Sequence, residues 1–143
     1  MSDAVSGFGT FLQRGDGAGP EVFTTIAEVK DITGPGLSAD IVEVTNHSSI
    51  GAFKEKLSTL LDGGEVTFDV NFLPGNATQD ATDGLLSAYM ARSKDNYKLI
   101  WPTVGDDQVA FKAQVTGFEP TAPVEEALTA SVTLTLTGPP TFS

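Results

Sequence analysis

His47 is the only imidazole in the chain, and Ser48 and Ser49 follow it directly, the residue types of a nucleophile and its base. Acyl transfer by such a pair also needs an orienting third group and an oxyanion hole, and no GxSxG elbow is present. The run TNHSS therefore reads as a polar loop. A zinc site needs several His or Cys ligands, and one His with no Cys cannot supply them. Oxygen ligands suited to calcium occur in GDG at 15–17 and GDD at 105–107, but neither stretch has the alternating ligands and distal Glu of an EF-hand loop. Turn chemistry accounts for both. GFG at 7–9 and GDGAG at 15–19 do not lie between a strand and a helix, so they lack the setting of a phosphate loop. Glu65 and Asp69 share one strand face, which reads as a solvated polar surface rather than an acid–base pair. The residues predict no enzyme, no cofactor and no metal centre.

The elements that carry these residues are mostly strands. Residues 1–20, rich in Gly and small polar types, predict a flexible N-terminal arm, followed by one β domain over 21–143. Period-two alternation predicts a strand over 22–32, a turn at Gly34-Pro35-Gly36, and a second strand over 40–45. Residues 46–63 read as a long irregular loop in which FKEKLSTLLDG carries a helical turn or two ended by Gly63. Over 64–73, Val66, Phe68, Val70 and Phe72 occupy one face while Glu65, Thr67, Asp69 and Asn71 occupy the other. A helix is expected over 80–92, with Asp80 as N-cap and an apolar stripe of Leu85, Leu86, Tyr89 and Met90. Strands over 96–101 and 108–118 follow. The last strand, 127–137, alternates Leu128, Ala130, Val132, Leu134 and Leu136 with Thr and Ser, and Gly138-Pro139-Pro140 is expected to stop it. Six strands and one helix predict a mainly β fold, an antiparallel β-sandwich or half-barrel with the α-helix on an edge or end.

The chain has 143 residues, 19 acids and 8 bases, for a net charge of −11. That balance repels phosphate backbones and disfavours ordinary nucleic-acid binding. The start, MSDAVSGFGTF, has no basic n-region and no apolar h-region, and no run approaches the ~20 apolar residues of a spanning helix, so a soluble protein is expected. Long regular strands in a small domain leave long edges. Monomers blunt such edges with Lys, Pro or bulges, whereas the final strand and the 108–118 strand carry only Lys112 between them. These edges suit a sheet that continues into a neighbouring subunit.

The runs GTFLQRGDG (9–17), PEVFTTIAEVKDITGPGLSADIVEVTNHSS (20–49) and LDGGEVTFDVNFLPG (61–75) resemble the tail tube proteins of siphophages, the family that includes the lambda major tail protein. The second half is similar in layout: helix, Trp-Pro strand, long strand, and a Val/Leu/Thr-rich last strand. The family's loop usually reads His-Asp-Ser, where this chain has His47-Ser48-Ser49. The resemblance implies a structural virion protein whose six-membered rings join their sheets into one inner β-barrel. It implies rings stacked around a tape measure protein, with tail initiator and terminator proteins as partners and DNA passing without specific binding. Localisation would be the virion tail, and the host cytoplasm before assembly, with no membrane partner. It implies ring stacking through the arm, the 46–63 loop and the C-terminal end, with His47, Ser48, Phe53, Lys54 and Leu57 as the loop's stacking residues. Glu43, Glu65 and Asp69 would be the acids facing the bore. Tube proteins of contractile injection or secretion systems share this architecture, and a carbohydrate-binding β-sandwich is the remaining alternative.

Overall fold

A computed structural model of the chain describes residues 4–17 and 19–143. Among these residues nine strands and one α-helix run in the order β1 (Phe11–Gly15), β2 (Phe23–Thr25), β3 (Val29–Thr33), β4 (Ser38–Glu43), β5 (Lys56–Asp62), β6 (Glu65–Asn71), α1 (Leu85–Ala91), β7 (Lys94–Ile100), β8 (Gln108–Thr121) and β9 (Thr129–Phe142). Seven of the strands form one antiparallel sheet in the order β2-β1-β7-β8-β9-β6-β3, and β4 pairs with β5 in a separate two-stranded ribbon.

The sheet must curl, and chain length shows why. Strands β2 and β3 sit at its opposite ends, yet only residues 26–28 connect them. Laid flat, seven strands at ~4.8 Å spacing would span ~29 Å. Four Cα steps of ~3.8 Å reach at most ~15 Å. The sheet therefore bends round until its ends nearly meet, which gives the half-barrel expected from the alternation. The connecting residues extend both end ladders: Ile26 N donates to Leu12 O at 2.9 Å, and Asn71 N donates to Glu28 O at 3.0 Å. Inside the curl lie Leu12, Ile26, Val66, Phe68, Val70, Tyr97, Leu99, Val109, Val115, Val132 and Leu134, with Leu85 and Ala88 of α1 packed over β8.

One buried amide closes the curl. Gln79, fully buried, donates from Nε2 to Ala27 O at 2.7 Å and Asn71 O at 3.3 Å, and its Oε1 accepts from Leu73 N at 2.9 Å. Thr78 Oγ1 adds a bond from Ala27 N at 3.1 Å. Removing one partner leaves buried backbone groups unsatisfied at ~1–3 kcal/mol each, so Gln79→Ala should cost about 3 kcal/mol or more in denaturant unfolding. Gln114→Ala on the outer face is the matched control. A loss at Gln79 no larger than at Gln114 would show that the amide does not hold the crossover.

Several sequence expectations need correction. The arm expected over 1–20 contains β1, which pairs with both β2 and β7 and buries Leu12 completely. Met1–Asp3 and Ala18 of that segment lie outside the described residues. The single strand over 22–32 is two strands, because the chain crosses between the ends of the curled sheet at 26–28, with Glu28 at φ 57. The irregular 46–63 segment contains β5. Its apolar positions Leu57, Leu60 and Leu61 are spaced as on a helix, but pairing with β4 overrides that pattern. The helix begins at Leu85, not near 80. Asp80 Oδ1 instead accepts from the amides of Thr82, Asp83 and Gly84 at 3.2, 2.8 and 3.0 Å, capping the turn before the helix. Of the expected apolar stripe Leu85 is buried, joined by Ala88, while Tyr89 and Met90 are exposed.

Nor does Gly138-Pro139-Pro140 stop the last strand. Lys112 pairs with Thr137 and Ala110 with Thr141, so residues 138–140 bulge opposite Phe111 alone. On the other flank, β6 pairs no further than Thr135. Two prolines without N–H groups are tolerated where no ladder asks them to donate.

Candidate assembly surface

The β4–β5 ribbon stands apart from the core. All thirteen residues of β4 and β5 are exposed, although Ile41, Val42, Leu57, Leu60 and Leu61 are apolar. Ala39 faces Leu61, Ile41 faces Ser58 and Val42 faces Leu57 across the ladder. Neighbouring pairs point to opposite sides, so both faces of the ribbon carry apolar groups. An isolated two-stranded hairpin is marginal in water, and one with two bare apolar faces needs a cover on each.

The base of the ribbon is held by backbone packing. Gly64, at φ 69, lies so close to Gly36 that a Cβ there would collide with Gly36 O, and Gly36 N donates to Glu65 O at 3.2 Å. Glycine is required at 64 by both φ and contact, which explains the Asp-Gly-Gly-Glu opening of β6. Beside this clamp, Leu37, Ala39, Leu61, Leu136 and the Pro139-Pro140 bulge line an open groove of about 770 Å³.

At the other end, the turn over 44–55 is knit internally. Ser48 N donates to Asn46 Oδ1 at 2.8 Å, Asn46 N to Ser49 Oγ at 3.0 Å, and Ser49 Oγ to Glu55 Oε2 at 2.9 Å. Ser49 Oγ is thus committed to the Glu55 carboxylate. His47, Ser48, Phe53, Lys54 and Leu57 are all exposed on this tip and the adjoining strand, together with Ile50, whose 87% exposure the sequence reading missed.

The outer face of the sheet is a second, polar surface. Glu65, Thr67 and Asp69 lie beside Thr135, Thr133 and Ser131 of β9, and these beside Gln114, Gly117 and Glu119 of β8. Thr116 and Thr135 hydroxyls hydrogen-bond at 2.8 Å. Of the three acids assigned to the bore, Glu65 and Asp69 share this face, whereas Glu43 lies on the ribbon opposite Lys56. The structure does not bring the three together.

Several other polar and charged groups tie the fold together. Arg14 pairs with Asp95 at 3.0 Å and donates to Asp83 O at 2.8 Å, tying β1 to β7 and the helix approach. Three amides, that of Asp83 foremost, hold the Asp80 carboxyl below its usual range. Burial pushes the Tyr97 phenol well above its ordinary value, with the nearby Arg14 guanidinium acting in the opposite direction. In the GDG turn Asp16 Oδ1 accepts from Val22 N at 3.1 Å, and in GDD Asp107 Oδ2 accepts from Thr103 Oγ1 at 2.7 Å, both turn roles. Among the described residues no three His, Cys, Asp or Glu side chains gather as a metal site. Surface for contact is abundant, with large apolar side chains exposed along the β4–β5 ribbon.

Comparison with known proteins agrees. Residues 13–143 match the family described as Lambda phage tail tube protein. No curated protein sequence matches the chain. Among solved structures, the tail of an empty gene transfer agent particle with C6 symmetry superposes with a TM-score of 0.76 at 19% identity, covering 98% of this chain and 99% of that one. The SPP1 tail tube superposes at 0.70 with 14% identity over 97% of this chain and 78% of that chain. A sheath/tube terminator of an extracellular contractile injection system superposes at 0.73 with 11% identity over 100% and 99%. At these identities the structural likenesses establish the fold.

Proposed function

The chain belongs to the lambda phage tail tube protein family and is a structural tube subunit; from that premise we propose that six copies close into a ring and that the rings stack into the hollow conduit for genome delivery. The observation that carries this reading is the β4–β5 ribbon, apolar on both faces and covered by nothing among the described residues. Adjacent copies within a ring and between rings supply the two covers. The C6 symmetry of the gene transfer agent tail supports the sixfold count. The long-tailed-phage family match favours this over a contractile-system tube, whose proteins share the fold. Sedimentation should show a monomer giving way to large species as concentration rises. A single monomer boundary at every concentration would contradict the reading.

Tape measure protein in the bore, initiator and terminator at the ends, passing DNA, a structural rather than enzymatic role, and a cytoplasmic pool before incorporation into the virion tail complete the proposal. Glu65 and Asp69 on the polar outer face, with Glu43 on the ribbon, are proposed to face the bore, where carboxylates keep DNA from adhering. Replacing all three with Lys shifts each subunit by +6, from −11 to −5. Tubes should still form, and DNA release should slow by on the order of tenfold at ~0.01 M salt, where the Debye length is ~30 Å, with the effect fading as salt rises. Release unchanged across the salt series would place these acids elsewhere.

A further inference from the structure

The ribbon has an apolar knob at one end and an apolar hole at the other. The knob is the tip, where Phe53 is 77% exposed, Ile50 protrudes beside it, and Lys54 follows with no ion pair among the described residues. The hole is the groove at the base, lined by Leu37, Leu61, Leu136, Pro139 and Pro140, with Asp62 on its wall. Asp62 Oδ1 accepts from Gly64 N at 2.8 Å and the carboxylate has no cation partner among the described residues. In a chain with 8 bases against 19 acids, a lysine beside the knob and an acid beside the hole are complementary.

Knob and hole cannot meet within one chain. The ladder runs from Ala39↔Leu61, through one register shift before Ile41, to the bond from Val44 N to Glu55 O at 2.8 Å, so five residues, ~17 Å at ~3.4 Å each, hold them apart. Matching patches at different places on one surface make a heterologous contact, which passes from copy to copy without pairing off. We propose that the Ile50–Phe53 tip of each subunit seats in the Leu37/Leu136/Pro139-Pro140 groove of another copy of this chain, with Lys54 against Asp62. This rests on the tube-subunit reading and deepens it by naming both halves of one contact. The Gly-Pro-Pro bulge then has a purpose: it keeps the β9 edge from pairing and leaves an apolar wall for the incoming ring of Phe53.

The absence of cysteine makes the test clean. Ser48→Cys on the tip and Ser38→Cys on the groove are combined in one chain, assembled, and treated with a short bismaleimide. A ladder of cross-linked oligomers is expected from the double variant, and no ladder from either single variant. In parallel, Lys54→Asp or Asp62→Lys alone should raise the concentration needed for assembly on the order of tenfold, and the two together should restore it. Tubes that form without a ladder, with no rescue in the charge swap, would overturn the tip-in-groove contact and leave the tube-subunit reading standing. Wild-type chain that never assembles would overturn both.

Discussion

Replacing Phe68 with alanine is expected to lower unfolding stability by about 3–5 kcal/mol, a large share of the ~5–15 kcal/mol that holds a domain folded. Phe68 is 1% exposed and sits at the middle of β6, opposite Ile32 on β3 and Val132 on β9. Three strands therefore line the void its ring would leave, and each is fixed by its ladder, so the site cannot collapse to fill it. Glu65→Ala, three residues away on the outer face, should change stability by no more than ~0.5 kcal/mol. Denaturant titrations at concentrations where the wild type is monomeric read this directly. Similar losses at both positions would mean that the faces of β6 are not divided between core and surface.

Leu57→Ser with Leu60→Ser should do the reverse, sparing the monomer and abolishing assembly. These side chains are 56% and 73% exposed in the free chain, so little folding energy depends on them. Burying each against a neighbour would contribute about 1.5–3 kcal/mol, and losing two per contact weakens association at least ~100-fold. The contact repeats in every subunit, which amplifies the loss across a tube. The monomer's denaturation midpoint should stay close to wild type while turbidity and sedimentation show no large species. Unimpaired assembly by a folded double variant would remove the ribbon from the subunit contacts.

Much of this was legible in the residues. Alternation of Val66, Phe68 and Val70 with Glu65, Thr67 and Asp69, and of Ala130, Val132 and Leu134 with Thr and Ser, assigns core and surface as the structure has them. The parts that were not legible depend on partners distant in the chain. No glycine or proline marks the break at 26–28, because closure of the curl imposes it, and Gln79, which holds it, is an ordinary turn residue by sequence. β1 hides in a glycine-rich segment since only Leu12 reaches the core. β5 carries helical spacing at Leu57, Leu60 and Leu61 and becomes a strand through β4. The residues expected on a loop crown a ribbon at His47, Ser48, Phe53 and Lys54 and continue into β5 at Leu57, while the groove at the ribbon's base depends on a bulge at the proline pair, where the strand is expected to stop.

Electron microscopy of the purified, concentrated chain tests the central claim most directly. Hollow rings or tubes with sixfold symmetry in end view are the expected result, with ribbons bridging adjacent subunits in averaged images. Uniform monomers at high concentration, or assemblies without a central channel, would contradict the account.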